Sequence, residues 1–176
     1  MSTYHTPVLL HESIDGLNIK PSGVYVDATL GGGGHSKEIL SRLGKGGKLI
    51  VFDRDSDALN NAPKDERVII VHNNFRYIHN FVKYHGFEGV DGILADLGVS
   101  SHQFDTSERG FSFRFDAPLD MRMNTQAKRD AKTILNEYSE EEIASLLKIY
   151  GEVDNSRKVA GLICSARAKS PITNTN

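Results

Sequence analysis

Apolar runs without polar alternation punctuate the first half of the chain: Val24-Tyr25-Val26, Leu49-Ile50-Val51-Phe52 after Lys48, Val68-Ile69-Ile70-Val71, and the stretch 90–97. Strands buried on both faces read this way, whereas half-exposed antiparallel strands alternate. Between the runs the spacing becomes helical. Ile39, Leu40 and Leu43 share one face over residues 36–43, and Gly44 stops it. Residues 56–62 predict a short helix cut off by Pro63, and Ile78, Phe81 and Val82 mark another ended by Gly86. Ahead of the first strand, residues 6–17 contain Pro7 and Val8-Leu9-Leu10 and end near Gly16. They read as a short helix or an irregular lid, apolar side inward, with His11 and Glu12 at the surface.

This alternation predicts an α/β fold, a parallel sheet with helices on both faces. Right-handed crossovers give the strand order 3-2-1-4 and put a ligand crevice outside strands 1 and 4. Asp27, Asp53, Phe75 and Asp96 then fall at strand C-terminal ends, on one rim.

From Gly98 the alternation stops. Aromatics and arginines interleave without period through Phe104, Arg109-Gly110-Phe111-Ser112-Phe113-Arg114-Phe115 and Arg122. A long loop of this kind in a compact domain is usually functional or disordered. Its phenylalanines either plug a core or, with Arg109 and Arg114, offer π-faces and guanidinium groups to a nucleotide base and its phosphates. Arg109, Phe111, Phe113 and Arg114 are the candidate substrate residues. Ser139 and Glu142 form a capping box that opens a helix running to Tyr150, with Ile143, Leu146, Leu147 and Tyr150 inward. A last helix over residues 156–168 has Val159, Leu162, Ile163 and Ala166 at helical spacing. The expected division is residues 1–104, a ligand-binding α/β domain, and 105–176, a substrate loop with a helical subdomain.

Whole-chain properties narrow the picture only a little. The 176 residues suffice for a real core. Cys164 is the lone cysteine and the seven histidines are scattered, so neither a disulfide framework nor a metal site is expected. No apolar run reaches membrane-helix length and the polar start is no signal peptide, which points to a cytoplasmic protein. The net charge of −2 is unevenly spread: residues 109–132 carry +3, residues 157–176 carry +4, and the remainder −9. An acidic body with a basic second half is compatible with a localised polyanion face.

The candidate chemistry centres on Asp27-Ala28-Thr29-Leu30-Gly31-Gly32-Gly33-Gly34-His35-Ser36. Strand, glycine turn and helix open a nucleotide-type site. The dinucleotide fingerprint fits only in part, because Ser36 stands where its third glycine belongs. Asp27, four residues ahead of the turn, would repel a pyrophosphate but suits a ligand carrying an ammonium and a sulfonium, namely S-adenosylmethionine (SAM). Asp53 lies 19 residues beyond Gly34, close to the spacing of a ribose-binding carboxylate.

At this point the motifs resemble the RsmH (MraW) methyltransferase family: His5-Thr6-Pro7-Val8-Leu9-Leu10, the Asp27–Ser36 stretch, Asp53-Arg54-Asp55, Asp96-Leu97-Gly98-Val99-Ser100-Ser101-His102-Gln103 and Arg109-Gly110-Phe111-Ser112-Phe113. The resemblance implies a Rossmann-like SAM-dependent methyltransferase fold with a helical insertion. It also implies methylation of N4 of a cytidine in the decoding region of bacterial 16S rRNA, with the small ribosomal subunit as partner. The implied SAM contacts are Gly33, Gly34, His35, Asp53, Phe75, Asp96 and Gln103; the physical reading of the rim makes Asp96, where strand 4 meets the transferred methyl, the candidate catalytic residue. In this reading Gly33 and Gly34 admit the methionine end, and Asp27 supports them or meets the ammonium. Asp53 takes the ribose hydroxyls, and Phe75 packs on adenine. Asp96 meets SAM, the cytosine amine, or both. His35 either donates to a carboxylate or packs, while Asn73 and Asn74 are turn residues first.

Members of this family are longer, so the sheet is expected to be partial and turnover by this chain alone weak or absent. Strand 4 would then present an open edge, to be covered by another chain such as a second copy, by rearranged insertion helices, or else to be a source of poor solubility. Two alternatives stand beside the enzyme: a SAM-binding fragment without turnover, and an NAD-binding Rossmann protein.

Overall fold

The computed structural model describes residues 7–176. His5 and Thr6 of the first motif lie outside the described residues. The chain divides into two compact units, residues 1–100 and 101–176, so residues 101–104 group with the second unit.

In the first unit, β1 (Val24–Asp27), β2 (Lys48–Asp53), β3 (Val68–His72) and β4 (Gly92–Leu94) form a parallel sheet in the order β3-β2-β1-β4. Its register sets Val26 beside Ile50 and Ile93, and Asp27 beside Val51 and Leu94. The helices are α1 (Leu10–Gly16), α2 (Gly34–Arg42), α3 (Ser56–Leu59) and α4 (Ile78–Tyr84). Because successive strand side chains point to opposite faces, the sheet builds two cores. Tyr25, Leu49, Val51 and Leu94 pack with Ile14 of α1, Ile39 of α2 and Leu43. On the other face Val26, Ile50, Phe52 and Val71 pack with Val82 of α4. Phe52 meets Phe81 edge-on, ring centroids 5.7 Å apart. The segment expected to be a helix or a lid is helical at Leu10–Gly16, with Ile14 buried and His11 and Glu12 exposed.

Two expected elements shrink. The helix over 56–62 closes at Leu59. The fourth strand pairs only over Gly92–Leu94, not 90–97. At its start the Asp91 side chain accepts from Val24 N at 2.9 Å, and at its end Asp96 N donates to Thr29 Oγ1 at 2.8 Å. Side-chain bonds supplement the backbone at the start, where Asp91 N also donates to Val24 O at 2.7 Å, and fix the chain at the end. Ile93 of this outer strand is half exposed.

The second unit is helical: α5 (Ser101–Asp105), α6 (Ala131–Glu137), α7 (Glu140–Ile149) and α8 (Ser156–Arg167). The capping box forms as expected, with Ser139 Oγ accepting from Glu142 N and Glu142 Oε2 accepting from Ser139 N. The inward face of α7 holds at Ile143 and Leu147 and is corrected at Tyr150. Ile143, Ala144 and Ala160 make the core, joined by Tyr138, Leu147, Ile163 and Cys164. Tyr150, expected inside, is 81% exposed, and Leu162 of α8 is 62% exposed. Small Ala144 and Ala160 bring α7 and α8 together along a stripe rotated from the one the larger side chains suggested. Helix α6 was not anticipated; Asp130 caps it, accepting from Thr133 N at 2.7 Å.

The turn between α3 and β3 is closed by Arg67, which donates through Nε and Nη2 to Asp65 at 2.8 and 2.7 Å. The side-chain bonds from Arg67, then its backbone N–H, hold the Asp65 carboxyl at about 2, below its ordinary 3.8. A depressed carboxylate contributes stability above its unfolded pKa and loses it as pH falls through the folded one. Asp65→Asn is therefore expected to destabilise the protein at neutral pH and to flatten the loss of stability between about pH 4 and pH 2. Urea melts across that range, wild type against variant, test this, and parallel pH curves would refute it.

Candidate ligand site at the carboxyl rim of the sheet

Parallel strands deliver their C-terminal ends to one edge, and the first unit places Asp27, Asp53, the residues after His72 and the residues after Leu94 there. The turn between β1 and α2 is the centre of this rim. Gly31 and Gly33 have φ of +48° and +75°, a region L side chains rarely adopt. A side chain at Gly33 would also collide with the Asn61 carbonyl, 2.5 Å from a Cβ built there.

Asp27 anchors the turn from below. It is fully buried, accepting from Ser36 Oγ at 2.6 Å through one oxygen and from Thr29 N at 3.1 Å through the other. Unlike an exposed carboxylate with free lone pairs, Asp27 has no surface left to meet a ligand, which favours the supporting role over the ammonium partner. Burial pushes the Asp27 carboxyl above its ordinary range, opposed by the Ser36 and Thr29 hydrogen bonds.

Asp53 closes the turn from the side. Its Oδ2 accepts from Gly31 N and its Oδ1 from Asp55 N, both at 2.9 Å. A carboxylate offers about four lone-pair sites, so each oxygen keeps capacity for a second donor. Asn61 completes the frame: its Nδ2 donates to Gly31 O at 2.7 Å. Gly31 is therefore held at both its N–H and its carbonyl by side chains that follow β2. The backbone adds Leu30 N to Phe52 O at 2.9 Å and Gly33 N to Leu30 O at 2.7 Å.

The remaining candidates separate. Gly34 begins α2, packed so closely on Pro7 that a side chain would displace the proline. His35 is buried, its Nε2 3.1 Å from the Val8 carbonyl oxygen. A carbonyl only accepts, so this nitrogen donates, and the ring ties α2 to the chain entering α1. Phe75 opens a single 3-10 turn after β3 and is 38% exposed. Asn74 caps that turn, its side chain accepting from Arg76 N at 2.9 Å, and Asn73 Oδ1 accepts from Asn74 N at 2.8 Å, so both serve as turn residues. Asp96 has its backbone fixed by Thr29 and its side chain exposed. Sequence reasoning missed Thr29 and Asn61. An Asp two positions before Thr29 was a usable turn signal; nothing local marks Asn61.

The second unit carries the other candidates. Gln103 is buried in α5. Arg109 is corrected: it is buried, and its Nη2 donates to the carbonyls of Arg122 and Met123 at 2.9 and 3.3 Å, so it staples the loop instead of facing a phosphate. Phe111 is half buried. Phe113 is 80% exposed, and the exposed Arg114 sets its guanidinium 5.2 Å from the centroid of the Phe104 ring. The loop is not structureless. Thr175 bonds Ala117 and Phe115, and Leu119 N donates to Thr173 O at 2.9 Å.

A parallel sheet of this order with a glycine turn after β1 and carboxylates on its carboxyl rim defines a Rossmann-like methyltransferase fold. The chain belongs to the MraW methylase family, whose model matches residues 2–176. It is 58% identical over 171 residues to the ribosomal RNA small subunit methyltransferase H of Bacteroides fragilis, covering 97% of this chain and 56% of that protein. The enzymes of the same name from Bacteroides thetaiotaomicron and Flavobacterium johnsoniae are 61% and 57% identical, covering 94% and 98% of this chain and 54% and 57% of theirs. The chain thus spans about half the length of the curated relatives it matches.

Asn resembles a protonated Asp: it can accept from Thr29 N and donate to Ser36 Oγ, without burying charge. A carboxyl whose folded pKa is raised favours folding when protonated and opposes it as pH rises through that pKa. Asp27→Asn is therefore expected to melt higher than wild type at neutral pH, the gap narrowing as the medium is acidified below the raised pKa. Asp27→Ala, which strands both donors, is expected to lose about 1–3 kcal/mol. Melting curves from pH 4 to 8 decide; an Asn variant weaker than wild type throughout would overturn the reading.

Proposed function

We propose that the chain binds SAM at this rim and directs its methyl group to N4 of a cytidine in small-subunit ribosomal RNA, in the cytoplasm. The observation that carries the reading is the pairing of a rigid, side-chain-free turn with Asp53 and Asp96 on either side of β1. The residues fit the cofactor. Asp53 retains lone pairs for two ribose hydroxyls after holding Gly31 and Asp55. Phe75 offers a partly exposed ring for adenine. The turn brings backbone amides rather than side chains to the start of α2, the nine-residue helix whose N-terminus favours a methionine carboxylate. When bound, SAM supplies an electrophilic methyl on a sulfonium.

The chain's own residues do the rest. The exocyclic amine of cytosine is a poor nucleophile because its lone pair is delocalised into the ring. Asp96, exposed and fixed through its backbone to Thr29, accepts an amine N–H, localises that lone pair and takes the proton as the N–C bond forms. Alignment at near-attack distance supplies much of the acceleration, and no covalent enzyme intermediate is required. Phe113 and Arg114 offer a stacking face and a charge to an unstacked base and its backbone.

Titration calorimetry with SAM and with NAD tests this. SAM is expected to bind and NAD to give no heat; Asp53→Ala is expected to weaken SAM by about tenfold or more, the loss of hydrogen bonds to a charged group. NAD binding without SAM would return the dinucleotide reading. Separately, Phe113→Ala is expected to cost about 1–3 kcal/mol of affinity for a cytidine-bearing single strand, read by fluorescence anisotropy, with SAM titrations unchanged.

A further inference from the structure

We infer that Asn61 is a positioning residue that shapes the glycine turn for the amino-acid end of the ligand; the inference rests on the SAM reading above. Gly31 is gripped at two atoms, its N–H by Asp53 and its carbonyl by Asn61 Nδ2 at 2.7 Å. The Asn61 backbone is itself fixed, its N–H donating to Ala58 O at 2.9 Å as α3 ends. Its carbonyl lies against the Cα of Gly33, where any side chain would clash. One residue therefore touches both left-handed positions of the turn, Gly31 through its amide and Gly33 through its backbone. Rotating the Gly31 peptide would break the Asn61 bond and redirect the amides that lead into α2. Those amides face the carboxylate of a methionine moiety, whereas the ribose end depends on Asp53, which keeps a separate anchor in Asp55 N. Loss of the Asn61 donor should thus loosen one end of the ligand and spare the other.

The probes are S-adenosylhomocysteine and 5′-methylthioadenosine, two neutral thioethers that share adenosine and differ in the amino-acid portion. Asn61→Asp keeps the size and the backbone contact but sets an oxygen against the Gly31 carbonyl. Calorimetry is expected to show S-adenosylhomocysteine weakened about tenfold and methylthioadenosine unchanged within about twofold, the scale of one hydrogen bond. Asn61→Ala, which removes the donor without repulsion, should show the same split, so a folding defect in one variant does not decide the matter. Asp53→Ala, by contrast, should weaken both ligands. Equal weakening of the two thioethers by the Asn61 variants, or no weakening of either, overturns the inference while leaving the SAM reading intact. Wild-type protein that binds neither thioether nor SAM overturns both.

Discussion

A carboxylate without access to water must find donors within the fold, and Asp27 finds one in the chain two residues on and one in the first turn of α2. That double attachment joins the end of the central strand to the helix that follows it. The glycine turn between them is consequently short, taut and fixed at both ends. Everything else on the rim is hung from it: Asp53 and Asn61 reach it from β2 and α3, and Thr29 within it receives the Asp96 amide from the chain leaving β4. The parallel sheet supplies the edge; this buried acid makes the edge into a site.

The sheet was legible because its signal is redundant. Buried parallel strands lack alternation, helices between them show apolar spacing, and handedness leaves few orders for four strands. The rim acids were legible because each stands at the end of an apolar run. Less readable were the features that depend on contacts between distant segments. Asn61 has no local mark, since its partner is thirty positions away at Gly31. Arg109 read as a phosphate contact by its residue type and aromatic neighbours, yet the loop folds its carbonyls around that guanidinium. Residue type announces a charge but not whether the chain will consume it internally.

The helical unit shows the complementary failure. Helical spacing named Ile143, Leu146, Leu147 and Tyr150 as the inward face of α7; Ile143 and Leu147 pack there, but Tyr150 does not. Two helices that approach closely select small residues at the contact, so Ala144 and Ala160 went inside while Leu162 and Tyr150 stayed out. Local rules that depend on few atoms survived: the Ser139–Glu142 capping box formed in full. The loop between residues 110 and 120 gains its order from the far end of the chain, through Thr173 and Thr175, which no window of neighbouring residues could reveal.

The pairing of β4 with β1 has a kinetic side. Strands β1, β2 and β3 are joined by single helical crossovers, but β4 must return across the sheet to lie beside β1, with the Asp96–Thr29 bond spanning 67 positions. Closing so long a loop is slow relative to the shorter crossovers, so this strand is the natural last arrival during folding. The segment bearing Asp96 is therefore expected to take its place after the glycine turn has formed. A chain caught before that step would hold a formed glycine turn with the Asp96 segment still adrift.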